Sequence, residues 1–220
     1  MALPTNMAKR EYAGDLMKRT SFPVTVDAKL KADISAAIKA DIKANVLAKI
    51  SASVSEQVKA TLDVKVSALG GIISIGDAKL SIEEDAQLKK LAASVEASIE
   101  AKLGLGAYAD IDVQLDRLLG NKKTCSEKDL ETIIAKLEAK LIAKLKVELP
   151  KICLGLKADI KAAVDLCIKN LEINIPLLLD IKVSASVKVN AIVKLCADVA
   201  VKVCAKLDAK VCAKAVIGLL

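Results

Sequence analysis

The sequence predicts a mainly α protein: long amphipathic helices of Ala, Lys, Leu and Val in an elongated bundle, its C-terminal half stapled by disulfides. Three observations carry that expectation. Ala fills 35 of the 220 positions and Lys 31, and both residues favour helices and are depleted in strands. Ser81-Ile-Glu-Glu84 and Ser126-Glu-Lys-Asp129 have the form of capping boxes, with acids in the first turn where the helix dipole favours them. Bulky aliphatics recur every four residues at Ile34, Ile38, Ile42, Val46, Ile50, Val54, Val58 and Leu62, mostly with Ala midway. On a helix of 3.6 residues per turn this spacing drifts by about 40° per step. Over roughly 16–20 residues it keeps one broad apolar face with Ala opposite. A helix twice that long needs a bend or a wrapping partner to keep the stripe covered.

The alternative is an all-β fold of long amphipathic alternating strands. From Val24 to Val66, 21 of the 22 even positions are apolar, with Glu56 the exception. From Leu171 to Leu219 all 25 odd positions are apolar. Strict alternation is the strand pattern. Length counts against it, because a strand from 171 to 219 would reach about 160 Å, whereas strands run about 3–10 residues. Few residues could chop that run into turns: Asn174, Pro176 and Asn190 are nearly all.

Taken in order, the chain opens with a flexible leader or propeptide over residues 1–24. It holds all three Met, two of three Arg and two of three aromatic residues, and the composition shifts near Pro23. Its dibasic pairs, Lys9-Arg10 and Lys18-Arg19, resemble the processing sites of propeptides in secreted eukaryotic proteins. The helical pattern then predicts helices over 28–68, with a break, 81–103, 107–119, 126–149, 151–170 and 177–216. Gly104 stops the second of these and Pro150 the fourth. Gly70, Gly71 and Gly76 mark turns in the longest uncharged run, Val66 to Gly76. Eleven residues are too few to span a bilayer, so no transmembrane segment is expected.

The domain reading is a Cys-free half, 25–120, followed by a Cys-containing basic half, 125–220, or one continuous domain. Net charge is zero over residues 25–124 and +5 over 125–220, with the leader adding +2. Two internal matches suggest duplication. Leu30–Ile38 matches Leu156–Val164 at seven of nine positions, and Leu62–Ala68 matches Leu179–Ala185 at six of seven.

All six cysteines fall in the second half: Cys125, Cys153, Cys167, Cys196, Cys204 and Cys212. There is no Cys-x-x-Cys and no His, so zinc-finger spacing is absent. An even count without metal spacing predicts disulfides and an oxidising, secreted or cell-surface location. Cys196, Cys204 and Cys212 are eight residues apart, about 12 Å along a helix or about 26 Å along a strand. A disulfide needs Cα atoms roughly 4.4–6.8 Å apart. If the segment is regular, each of the three therefore pairs with one of Cys125, Cys153 and Cys167.

Catalytic chemistries are largely excluded. Without His no Ser-His-Asp or Cys-His nucleophile can be built, and no Ser has Lys three residues on. With three Arg and three aromatics, the forks and stacking rings that nucleic-acid readers use are missing. Asp110, Asp112 and Asp116 lack the rest of a calcium loop and read as a solvated edge, and Glu83, Glu84 and Asp85 as first-turn acids. No cofactor or metal site is expected. The functional expectation is a secreted, non-enzymatic structural or interfacial protein that self-assembles or coats apolar–water boundaries. The alternatives are a carrier of fatty acids or other apolar ligands and a cationic membrane-active protein.

Overall fold

The computed structural model describes the backbone of residues 22–61, 63–68, 71–72, 77–173, 182–186 and 188–220, and side chains over 22–60, 86–167, 169–170 and 188–220. The dibasic pairs Lys9-Arg10 and Lys18-Arg19 lie outside the described residues, as do Gly70, Gly76 and Pro176.

The chain is mainly helical. A short strand β1 (Val24–Thr25) leads into α1 (Ala28–Ile42), a π-helical segment (Lys43–Leu47) and α2 (Ala48–Thr61). Then come β2 (Asp63–Ala68), β3 (Gly71–Ile72), α3 (Asp77–Leu105) and α4 (Ala109–Leu119). The second half repeats the order with β4 (Thr124–Cys125), α5 (Glu127–Gly155), α6 (Lys157–Ile173), β5 (Lys182–Ser186), α7 (Val189–Ala205) and α8 (Ala209–Leu219).

Local chemistry explains most boundaries. Asp27 caps α1 by accepting the Leu30 backbone N–H at 2.8 Å. Ser126 and Asp129 complete the capping box at the start of α5. The Asp208 carboxylate accepts the backbone N–H groups of Lys210 and Val211 to start α8. Gly120 ends α4 at φ +55°, a conformation open to glycine.

The every-four stripe is buried as a single face. Ile34, Ile38, Val46, Ile50 and Val54 are fully buried, and Ile42 and Val58 nearly so. Ala32, Ala36, Ala40, Ala44, Ala48, Ala52 and Ala60 form an exposed spine on the other side. The π segment supplies the anticipated correction to the drift. Its i→i+5 turn is wider than an α turn, so it winds back part of the 40° gained per step and returns Ile50 and Val54 to the core.

Four expected boundaries are corrected. The 28–68 helix stops at Thr61 and β2 follows, because the bulky residues change from a spacing of four to a spacing of two at Leu62, Val64 and Val66. The 81–103 helix begins at Asp77, so Ser81 lies inside α3 instead of capping it. The 126–149 helix runs through Pro150 to Gly155. Proline lacks the N–H that would bond Lys146, but the flanking Leu149 and Cys153 are fully buried and hold the helix against that loss. The 177–216 helix is instead β5, α7 and α8.

Strands tie the halves together. β1 pairs antiparallel with β4, and β2 sits between β3 and β5. In the second sheet Val66 opposes Val183, with Lys65 against Ser184 and Ser67 against Lys182. Val66 and Val183 are also equivalent positions of the internal match 62–68 with 179–185, so the register is symmetric about them. Helix packing follows the same exchange of halves: α1 packs on α8 as α4 packs on α5, and α2 packs on α7 as α3 packs on α6. The other internal match has no such equivalence, since Leu30 lies in the first turn of α1 and Leu156 at the α5–α6 junction.

Candidate functional site

The cysteines take core positions. None of the six is bonded to another, so the expected staples are not present as bonds. Five are buried and Cys212 is partly exposed. Their places follow the same stripe as the aliphatics: Leu149 and Cys153 on α5, and Ile192, Cys196, Ala200 and Cys204 on α7, are fully buried at four-residue steps. Cys125 sits on β4 opposite Val24, and Cys167 lies on α6 beyond Ile160 and Val164. Cys153 and Cys196 are hydrogen-bonded to each other across the α5–α7 contact. That bond, with burial, pushes the Cys153 thiol well above its ordinary range. Burial also raises Cys204 and Cys125, so these groups are held as thiols, away from the thiolate form that nucleophilic chemistry requires.

A second cluster joins three helices. The carboxylates of Asp41 on α1 and Glu138 on α5 and the thiol of Cys212 on α8 place their ligating atoms within 4.8 Å of one another. Glu138 stands on α5 four residues after the fully buried Ile134, beside the unbroken buried series Ile133, Leu137, Leu141, Leu145, Leu149 and Cys153. It is only 4% exposed, and its Oε2 has no hydrogen-bond partner. Burial, then the Asp41 charge, pushes its carboxyl up to about 8. Cys212 is pushed up to about 12 by burial, then by Glu138 and Asp41, and its thiol is hydrogen-bonded to Asp41. Asp41 also accepts the Asn45 side-chain N–H at 2.8 Å.

The cluster opens on a cleft of about 390 Å³ between the π segment and the α7–α8 turn. Asp41 and Cys212 line it beside Lys49, Lys202 and Lys206, with Leu207 and Val211 as its apolar wall. Elsewhere the acidic residues are engaged at the surface. Asp116 pairs with Lys31 and Asp110 with Lys144, which agrees with the solvated edge read from the sequence. The side chains of Glu83, Glu84 and Asp85 lie outside the described residues.

The Asp41–Glu138–Cys212 grouping was not found from sequence, because its members lie 97 and 74 residues apart. No local signal marks it, since the series Ile133, Leu137, Leu141, Leu145, Leu149 and Cys153 runs past Glu138 unbroken and Glu138 stands at an even position like Lys136 and Lys140. Among the described residues no helix is long and apolar enough to cross a membrane. In comparison with known proteins, no family model, curated sequence or solved structure matches this chain.

Proposed function

We propose that this is a secreted, non-enzymatic structural protein that self-assembles or coats apolar–water boundaries, such as a cell wall, spore, foam or lipid surface. The observation that carries the reading is the separation of faces along α1, the π segment and α2, with Ile and Val buried beneath an exposed spine of Ala. Tyr108 is the one aromatic among the fully packed core residues described. Helices that meet through small aliphatic side chains can exchange their neighbours for an apolar phase without breaking interlocked rings or buried polar networks. Leu105 at 89% exposure, Val211 at 67% and Leu166 at 59% offer first points of contact. The test is pendant-drop tensiometry with light scattering. Micromolar protein is expected to lower the air–water tension or to assemble, and the absence of both effects would overturn the reading.

The finer architecture belongs to the same proposal: an elongated bundle whose second half is stapled in an oxidising compartment. The hydrogen bond between Cys153 and Cys196 supports one such staple, formed as each gives up one hydrogen to an external thiol oxidant. Peptide mapping of non-reduced, secreted protein is expected to find the Cys153–Cys196 bridge, and six thiols would refute it.

The cleft between the π segment and α8 favours a second reading, a carrier for apolar ligands with an anionic head. Its volume lies in the range of ligand sites, and it combines Lys49, Lys202 and Lys206 with Leu207 and Val211. Saturable binding of a fluorescent fatty acid by protein that stays monomeric would select this reading over surface coating.

A further inference from the structure

We propose that Asp41, Glu138 and Cys212 form a binding site for one thiophilic divalent cation of the Zn²⁺ class. Three donors on three helices converge within 4.8 Å. Around tetrahedral zinc, with ligand bonds of about 2.0–2.3 Å, neighbouring donors stand roughly 3.3–3.8 Å apart. Closing on an ion thus requires side-chain adjustments of about an ångström and no movement of the helices.

The second observation is Glu138 Oε2, buried without a hydrogen bond on a side chain that supplies one of the three converging donors. A buried polar atom without a partner is expensive, and among the described residues no Lys or Arg is ion-paired with Glu138 or Asp41. A cation would satisfy Oε2 and take the place of the proton that Glu138 holds in the fold. The donor set also selects the ion. A thiolate suits borderline and soft metals and is not a ligand for Mg²⁺ or Ca²⁺, which take six or more oxygens. Binding replaces the Cys212 S–H bond and the Glu138 O–H bond by bonds to the metal, with both protons leaving to solvent through the cleft. Three protein ligands leave a fourth position facing the cleft, the arrangement of zinc sites that hold water or an exogenous ligand.

The experiment is titration of the reduced, metal-free, full-length protein with Co²⁺, followed by competition with Zn²⁺. One equivalent of Co²⁺ is expected to give a thiolate-to-cobalt charge-transfer band, and one equivalent of Zn²⁺ to abolish it. Cys212→Ser should remove the band and weaken Zn²⁺ binding by more than about 100-fold, beyond the 10–100-fold typical of outer-shell changes. Glu138→Gln, which keeps the shape of the side chain, should weaken it at least about tenfold. Cys153→Ser should leave both unchanged. Thermal unfolding of each metal-free variant verifies that the loss is one of ligation; if Glu138→Gln fails to fold, Asp41→Asn takes its place. Absence of the band, a stoichiometry other than one, or a band that survives in Cys212→Ser and disappears in Cys153→Ser would overturn the site.

Discussion

Glu138 makes the fold sensitive to pH, because it is 4% exposed on α5 and one of its carboxyl oxygens has no hydrogen-bond partner. Its ordinary value of 4.5 applies in the unfolded chain, and burial raises it to about 8 in the fold. Between those values the native state holds a proton that the unfolded state has lost, so stability falls as pH rises. Each pH unit across that window removes up to about 1.4 kcal/mol. In metal-free buffer, urea midpoints measured from pH 4 to 9 should decline across the window for the wild type. The Glu138→Gln variant should show a curve flatter by a few kcal/mol over the same range, and parallel curves would contradict the assignment. Gly120 supplies a second prediction at this scale. Nothing lies within 4 Å of a Cβ added there, so the penalty is purely conformational, from φ +55°. Gly120→Ala is expected to lose about 1–3 kcal/mol, read as a lower denaturant midpoint at unchanged slope.

Between Ile34 and Val66, helix and strand are distinguished by the spacing of bulky residues and not by alternation alone. Ala is apolar enough to sustain a period of two on paper, but too small to direct packing. Where bulky residues stand four apart with Ala between, as from Ile34 to Val58, the chain is helical. Where Val64 and Val66 stand two apart, it is a strand. The mainly α class was therefore legible, and so were α4 and the cap of α5. Less legible was the end of α2, because alternation continues unbroken across it, and the passage of α5 through Pro150, which tertiary burial decides. Alternation also hides the face of α7, which buries Ile192, Val193, Cys196, Ala197, Ala200 and Cys204 from both the even and the odd series, while Val201 is exposed. The candidate site was hidden for a related reason, since convergence of α1, α5 and α8 is a property of packing alone. The π segment offers a test at the scale of the element. A π turn accommodates one extra residue, so deletion of the exposed Ala44 should restore α geometry and keep Ile50, Val54 and Val58 facing the core. Its expected effect on stability is within about 1 kcal/mol. Deletion of the equally exposed Ala52 has no such slack. It rotates Val54 and Val58 by about 100° and should remove several kcal/mol, at about 1.5–3 kcal/mol for each aliphatic uncovered. Circular dichroism with urea unfolding compares the two, and equal losses would show that the π turn does not set the register.

At the scale of the whole molecule, the boundary near residue 120 separates charge and cysteines without separating contacts. Each half contributes one strand to a pairing with the other, β1 with β4 and β2 with β5, and the register of the second pairing is symmetric about Val66 and Val183. The helices exchange partners in the same sense, so α2 completes its packing on α7, and α3 on α6. A half alone would uncover the parts of α1 and α2 that pack on α8 and α7, or the parts of α5 and α6 that pack on α4 and α3, exposing aliphatic surface that the whole chain buries. Folding is therefore expected to be one cooperative event despite the repeated order of elements. Ile50→Ala in the first half and Leu145→Ala in the second, both fully buried, should each lose about 2–5 kcal/mol. Each should move a single transition, detected identically by circular dichroism and by calorimetry, with calorimetric and van't Hoff enthalpies in agreement. Two transitions, one sensitive only to Ile50→Ala and the other only to Leu145→Ala, would mean that the halves fold independently. The paired strands would then be a contact between finished units, whereas a single shared transition makes them part of one core.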